Sequence, residues 1–455
     1  MAAAPTPSNP RNPNCVPPVP PVLLVPLVLR RTLPLTLAFL VTVGPPTHAQ
    51  GTRAACSSNN LGITVPEGFC VQLVADSVGP ARHVTSAPNG DLFLAVANSR
   101  TARGGVLALR DADGDGFAET SRRFGIGGGS EIRYHDGFLY FGTDSAIVRW
   151  KLAAGALEPT TPPDTIVAGL LSERGHHAAK TFAIGADGFL YVNIGAPSNA
   201  CEPQRQGSAQ KGTEPCPFLA NSGGVWRFDT RRLRQSQSDG ERYATGTRNL
   251  MGITMDPTGR AVWAVQHGRD LLAGNWGRVH AIYTNEKSAE NPAEELFRID
   301  RGGDYGWPYC YYDIDVQKKV LAPEYGGDGV RQDRCASVGQ PRAAFPGHWA
   351  PNGITFYTGT AFPATYRNGA FIAFHGSWNR APSPQAGFNV AFQPFAAGLP
   401  SGKWSVFADG FRGGPAEMQY RPTGLAVAPD GSLIVTDDKA GRIYRIRWVG
   451  IRGRS

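Results

Sequence analysis

Ala186-Asp187-Gly188-Phe189-Leu190-Tyr191-Val192 reads as a tight turn that opens a strand, and just upstream stands Gly175-His176-His177. Asp-Gly supplies the left-handed turn, and aromatic and β-branched residues then favour a pleated, half-buried surface. The histidines fall in the segment leading into the preceding strand. Five other stretches repeat the turn-strand half: Pro88-Asn89-Gly90-Asp91-Leu92-Phe93-Leu94, His135-Asp136-Gly137-Phe138-Leu139-Tyr140-Phe141, Pro257-Thr258-Gly259-Arg260-Ala261-Val262-Trp263, Arg367-Asn368-Gly369-Ala370-Phe371-Ile372-Ala373 and Pro429-Asp430-Gly431-Ser432-Leu433-Ile434-Val435. Each has different polar residues at its upstream end, so one site can be assembled from many loops.

The unit continues into a third strand, as in Gly105-Val106-Leu107-Ala108-Leu109 and Gly441-Arg442-Ile443-Tyr444-Arg445-Ile446. A fourth strand is expected to precede it, as in Cys70-Val71-Gln72-Leu73-Val74-Ala75 or Trp404-Ser405-Val406-Phe407-Ala408. A lone four-stranded repeat cannot bury both faces, and ring closure hides the sheet edges. The expectation is an all-β, six-bladed β-propeller of four-stranded antiparallel blades over residues 51–450. A β-sandwich is the alternative, but six similar hairpins are too regular for it. The longest interval, Gly259 to Gly369, must hold an insertion, with Asn291-Pro292-Ala293-Glu294-Glu295 and two cysteines inside it.

High glycine (56) and proline (37) with 18% charged residues favour many short strands over long helices. The net charge of +8 suits an anionic cofactor or substrate, and the absence of a basic run with interleaved aromatics argues against nucleic acid. Residues 1–50 read as a Pro-rich extension and export signal. Arg30-Arg31 precede an apolar run from Leu33 to Val43, and cleavage is expected near Ala49. The alternative, a membrane anchor, is broken below spanning length by Pro26, Pro34 and the paired arginines. Beyond Cys15 there remain Cys56, Cys70, Cys201, Cys216, Cys310 and Cys335, for which three local disulfides, 56–70, 201–216 and 310–335, are favoured. A periplasmic or secreted protein is expected, with no stable membrane insertion after signal removal.

In a propeller, residues just before each innermost strand point at the central channel. Here they are Arg82-His83, Glu131, His176-His177, Arg248-Asn249, Pro351-Asn352 and Arg421-Pro422-Thr423. The set has no Ser or Cys nucleophile with a paired base. It offers a histidine for general-base work and arginines whose forked donors pair with the oxygens of a planar, carboxylate-rich ligand.

At this point the sequence resembles the soluble pyrroloquinoline quinone (PQQ) dehydrogenases of sugars, the glucose/sorbosone dehydrogenase family, from about Pro66 to Trp448. The residues that carry the resemblance are His177 with its spacing to Gly185, Thr247-Arg248-Asn249-Leu250-Met251-Gly252, Glu294-Glu295-Leu296-Phe297-Arg298-Ile299, Gly302-Gly303-Asp304-Tyr305-Gly306-Trp307-Pro308, and Arg421 ahead of Ala428-Pro429-Asp430-Gly431. The resemblance implies oxidation of an aldose or related sugar. His177 would take the proton from the C1 hydroxyl, and a hydride would pass to the quinone. Arg248 would polarise the quinone oxygens beside Asn249, and Arg421 would pair with a PQQ carboxylate. It also implies a Ca²⁺ on the carbonyls of Gly268 and Arg269, and a second, structural calcium on Glu295 and the Tyr305 carbonyl.

The chain departs from that pattern in three places. His176 stands where glucose dehydrogenases carry an acid, and their Gly-Pro calcium loop reads Gly268-Arg269. A PQQ-contacting lysine is missing near His375-Gly376-Ser377-Trp378-Asn379-Arg380, where Arg380 or His375 is expected to substitute, as in the sorbosone and pyranose branch. No Cys-x-x-Cys-His haem motif occurs, so electrons would leave to an external acceptor. The rival readings are a calcium-dependent lactonase-type hydrolase, which would need channel carboxylates around one ion, and a non-catalytic binding propeller. Asp111-Ala112-Asp113-Gly114-Asp115-Gly116 opens like a calcium loop, but the twelfth position is Arg122, so a polar turn is the better reading. Trp349 and Trp378 are candidates to face a sugar ring at the rim.

Overall fold

Phe189–Ile194 is a strand, as its alternation predicts, and lies between Phe182–Ile184 and Gly224–Asp229, with Glu241–Thr245 fourth and the two-residue Gly303–Asp304 paired parallel along its edge. Gly188 turns the hairpin at φ 77°, where a side chain would be strained. This is one of six four-stranded antiparallel sheets in the computed structural model, which describes residues 56–451 except 126, 173–176, 204–208 and 415–417. The other innermost strands are Ala81–Ser86, Glu131–His135, Leu250–Met255, Pro351–Phe356 and Pro422–Val427. Each touches the next around the ring, and Pro422–Val427 meets Ala81–Ser86. The protein is a six-bladed β-propeller. Numbered along the chain, blade 1 starts at Ala81 and blade 6 at Pro422.

Closure uses the N-terminal strand. Phe69–Ala75 is the outermost strand of blade 6, paired antiparallel with Ile443–Trp448. The fourth strand thus follows the third within a blade, as Ser405–Ala408 does beside Asn389–Ala396 in blade 5, and only at the seam does it come from upstream. The expected order is corrected accordingly. Phe69 packs edge-on against Phe362, Phe407 and Trp448, with centroids 4.8–5.0 Å away, and Cys56–Cys70 ties the strand's start. Burying such a ring contributes about 1.5–3 kcal/mol. The hydrophobic core is correspondingly divided into clusters between neighbouring blades, such as Val265, Phe345, Ile372 and Phe374 between blades 4 and 5.

One turn differs from the repeat. Gly369 starts a strand rather than a tight turn, because a 3-10 helix, Ala364–Tyr366, fills that connection. The insertion in blade 4 is split in two by Glu294–Ile299, which is a blade strand. The first part carries helices Leu272–Trp276 and Asn285–Glu290; the second carries a hairpin of Cys310–Asp313 and Lys318–Leu321. Cys310–Cys335 closes the second part, and Cys201–Cys216 closes a loop of blade 3, so all three local disulfides form. No helix among the described residues is long and apolar enough to cross a membrane. The Asp111–Glu119 segment is the exposed turn between two strands of blade 1.

Candidate active site

Short strands running outward from the axis return two sets of residues to the same rim. One set precedes or opens the innermost strands; the other follows the second strands. Gly195-Ala196, His267, His375 and Asp438 belong to the second set, which the repeat itself could have flagged: each comes just after the turn-strand half of its unit. The two sets interlock. His83 sets one ring nitrogen 2.7 Å from Glu131 and the other 2.7 Å from the Asn352 carbonyl. The Asn352 amide oxygen meets His267 Nε2 at 2.9 Å, and the His267 backbone N–H donates to the Asn249 carbonyl.

His177 donates from Nδ1 to the Ala196 carbonyl at 2.6 Å, since a carbonyl can only accept. In the neutral ring Nε2 is then the unprotonated nitrogen. Burial, and next the nearby charge of Arg248, hold its pKa well below the usual histidine value, so the neutral base persists into acid. Glycine at 195 permits the close approach: a Cβ there would lie 2.6 Å from that of His177 and 3.4 Å from the Asn249 amide oxygen. Ala196 N–H donates to the Arg248 carbonyl at 2.8 Å, which links blade 3 to blade 4. His176 lies outside the described residues.

The buried guanidinium of Arg248 donates to the Gly268 carbonyl at 2.9 Å and to Asp270 at 2.8 Å. Asp270 also accepts from Asn379 at 2.8 Å and faces His348 at 3.5 Å. Burial would raise its pKa, but Arg248, His348 and Asn379 more than reverse this, so the carboxylate stays ionised well below the usual range. Beneath, Glu294 accepts from the N–H groups of Gly268 and Ala350, and burial pushes its pKa up to about 7. The Arg269 side chain turns into the insertion and pairs with Glu324, which also takes the Trp276 indole N–H at 2.8 Å.

Across the rim, Arg421 donates to His375 Nδ1 at 3.0 Å and to the Ser377 carbonyl at 3.3 Å. A guanidinium cannot accept, so the His375 hydrogen is on Nε2, donated to Asp438 at 2.7 Å. Asp438 also pairs with Arg82. Burial opposes its charge, yet His375 and Arg82 keep it well below the usual carboxylate range. Ser377 bonds to Arg421 and Asn379 to Asp270, so residues 377–379 bridge the two arginines. His177, Arg248 and Arg421 therefore lie along one connected rim.

Between the anchored Ser377 and Asn379, Trp378 is 65% exposed. Trp349 instead packs against Phe374 and Trp404, with centroids at 5.3 and 5.6 Å, half-buried at the edge of the core between blades 4 and 5. Arg380 is not brought to the rim: its donors go to the carbonyls of Ala289, Gly347 and Pro384 and to Glu290. Glu295 and the Tyr305 carbonyl lie together, 2.7 and 2.8 Å from the ammonium of Lys319.

Three buried polar atoms at the head of blade 4 have no hydrogen-bond partner among the described residues: Thr247 Oγ1, Arg248 Nε and the Asn249 amide oxygen. Such groups are costly unless a ligand or water completes them. With a second arginine across the channel, the Thr247 and Arg248 donors fit the oxygens of a planar anion, and the Asn249 amide oxygen can accept from an N–H or O–H on such a ligand. The Gly268 and Arg269 carbonyls are hard oxygens of the kind calcium takes, with Gly268 also accepting from Arg248 and Asp270 already paired to it.

The description TrAA12-like matches residues 63–449, and the chain belongs to this family. A pyrroloquinoline quinone-dependent sugar dehydrogenase of Hypocrea jecorina is 24% identical over 436 residues, covering 86% of this chain and 92% of its own. A Borreliella burgdorferi protein described as uncharacterized is 37% identical over 207 residues, and the chain spans 48% of its length. The holo form of the pyranose dehydrogenase PQQ domain from Coprinopsis cinerea superposes with a TM-score of 0.67 at 22% identity, covering 85% of this chain and 97% of that one. That likeness speaks for the fold.

Proposed function

We propose that this chain is an exported oxidoreductase that oxidises an aldose or related sugar with PQQ and calcium as cofactors. The observation that carries the reading is the joined set of one half-buried neutral base, His177, and two anchored arginines, Arg248 and Arg421, on one rim. Bound PQQ would supply the two-electron acceptor, with the cation as Lewis acid.

His177 Nε2 takes the proton of the sugar hydroxyl, and desolvation beside Arg248 keeps that nitrogen unprotonated in the resting state. Arg248 is held by Gly268 and Asp270, so its fork is oriented before any ligand arrives. Arg421 is braced by His375 for a ligand carboxylate. The carbonyls of Gly268 and Arg269 would hold the calcium, and Asn249 would complete the ligand's edge. Trp378 offers an open apolar face at the rim for a sugar ring. The channel carboxylates are each engaged by protein cations, Asp270 by Arg248, Asp438 by Arg82, and Glu131 by Arg133, which weighs against a lactonase-type ion cage. Three disulfides support an oxidising compartment, periplasmic or extracellular, and an external acceptor would remove the electrons.

The test is reconstitution of the purified chain with PQQ and Ca²⁺, with reduction of an artificial dye followed across a sugar panel. Sugar-dependent reduction that needs both additions supports the proposal. Dye reduction with no sugar of the panel would leave a binding propeller.

A further inference from the structure

Lys319 lies on the inserted hairpin strand Lys318–Leu321, and its ammonium is buried, with a side-chain exposure of 1%. Lysine is almost never buried so fully without compensation. Here the compensation is complete on three sides. Glu295 of blade 4 is 2.7 Å away, the Tyr305 carbonyl accepts at 2.8 Å, and the Phe297 ring lies under the nitrogen at 4.9 Å from its centroid. An aromatic face suits an ammonium but gives a metal ion no ligand. The lysine backbone is pinned too, its N–H to Gln340 and its carbonyl to Gln332.

The contacts reach the active rim. Glu295 accepts from Gln266 at 3.4 Å, and Gln266 accepts the Arg248 backbone N–H at 2.7 Å. Tyr305 N–H donates to Thr245 and Trp307 N–H to Gly246, immediately before Thr247-Arg248-Asn249.

We propose that Lys319 is a built-in cation that takes the place of a second, structural calcium: its ammonium joins Glu295 to the Tyr305 loop and so braces the chain around Arg248. The two groups expected to hold a calcium meet here around an ammonium instead. The native chain accordingly binds no divalent cation at Glu295, whatever is bound at Gly268 and Arg269. This inference concerns a structural position and does not depend on sugar oxidation, so a chain inert toward every sugar would leave it standing.

Calcium content after dialysis, by atomic emission, and the unfolding temperature with and without calcium chloride test it on the full chain. Glu295→Gln in the native background is expected to leave calcium content unchanged while lowering Tm by about 5 °C or more, the scale for breaking a buried ion pair. Loss of one calcium per chain in that variant would overturn the proposal. Lys319→Ala, which removes the ammonium and leaves the carboxylate and carbonyl facing each other, is expected to gain a calcium-dependent rise in Tm that the native chain lacks. A calcium response no greater than that of the native chain would count against it. If Lys319→Ala does not fold, Glu295→Gln decides alone.

Discussion

On the side of blades 3 and 4, His177 and His267 are half-buried beside Arg248, and both have pKa values lowered by desolvation first and by that guanidinium second, His267 to about 4. On the side of blades 5 and 6, His375 stands between Arg421 and an ionised Asp438, in a hydrogen-bonded chain that ends at Arg82. The first arrangement keeps imidazoles neutral and able to accept protons. The second fixes cations in place and leaves them able to hold an anion. Two histidines at the same repeat position, His267 and His375, thus have different surroundings, because a carboxylate follows the second strand in blade 6 and an amide faces the ring from blade 5.

Breaking each side should have a different kinetic signature. Replacing His177 by Ala is expected to lower turnover by about 10²–10⁴-fold, the usual range for a general base, while PQQ affinity, measured by fluorescence quenching, changes little. Unchanged turnover would remove its assigned role. Arg421→Ala should do the reverse. Loss of a charge-assisted, forked contact is expected to weaken PQQ binding by about 10²-fold, with turnover at saturating PQQ nearly kept. Equal losses in both constants would mean that the two halves are not separable.

The halves should also part on acidification, read as Tm against pH. The unfolded chain binds a proton at His267 near pH 6.5, whereas the folded chain refuses it until about 4. Stability from a neutral His267 is therefore fully present above pH 6.5 and is lost as pH falls toward 4. Asp438, depressed below its unfolded value of 3.8, contributes above that pH and fails only below it. His267→Gln should flatten the first fall and leave the second; a curve identical to the native one between 6.5 and 4 would refute this. The smallest effect is expected at Trp378→Ala: a several-fold rise in KM for the sugar, with PQQ binding and Tm unchanged, because its indole is exposed and its neighbours carry the anchoring bonds. A drop in Tm would place it in the core.

Much of the fold was legible because it is written in local chemistry. An Asp-Gly turn and an alternating strand carry the same meaning wherever they occur, so six copies imply a ring. Cysteines 14 to 25 residues apart pair locally for the same reason. The rim residues before the inner strands were legible too, since repeat position dictates where they point. What escaped from the second rim set were His267 and Asp438, which the same repeat carried but at its other end; His375 was reached only through the family resemblance. The seam escaped as well: Phe69–Ala75 resembles any fourth strand, and only its partner Ile443–Trp448 shows that it closes the ring.

By itself the sequence determined the blades, the turns, the disulfide pairs and the residue types offered to the axis, because each depends on neighbours within a few tens of residues. Tertiary structure alone decided which cation meets which anion. Arg380 and Lys319 have the chemistry of ligand-binding residues, yet one is spent on the carbonyls of Ala289 and Gly347, and the other lies between Glu295 and Tyr305. A buried charge takes the oxygens that folding brings within hydrogen-bond reach, and sequence distance does not enter that choice.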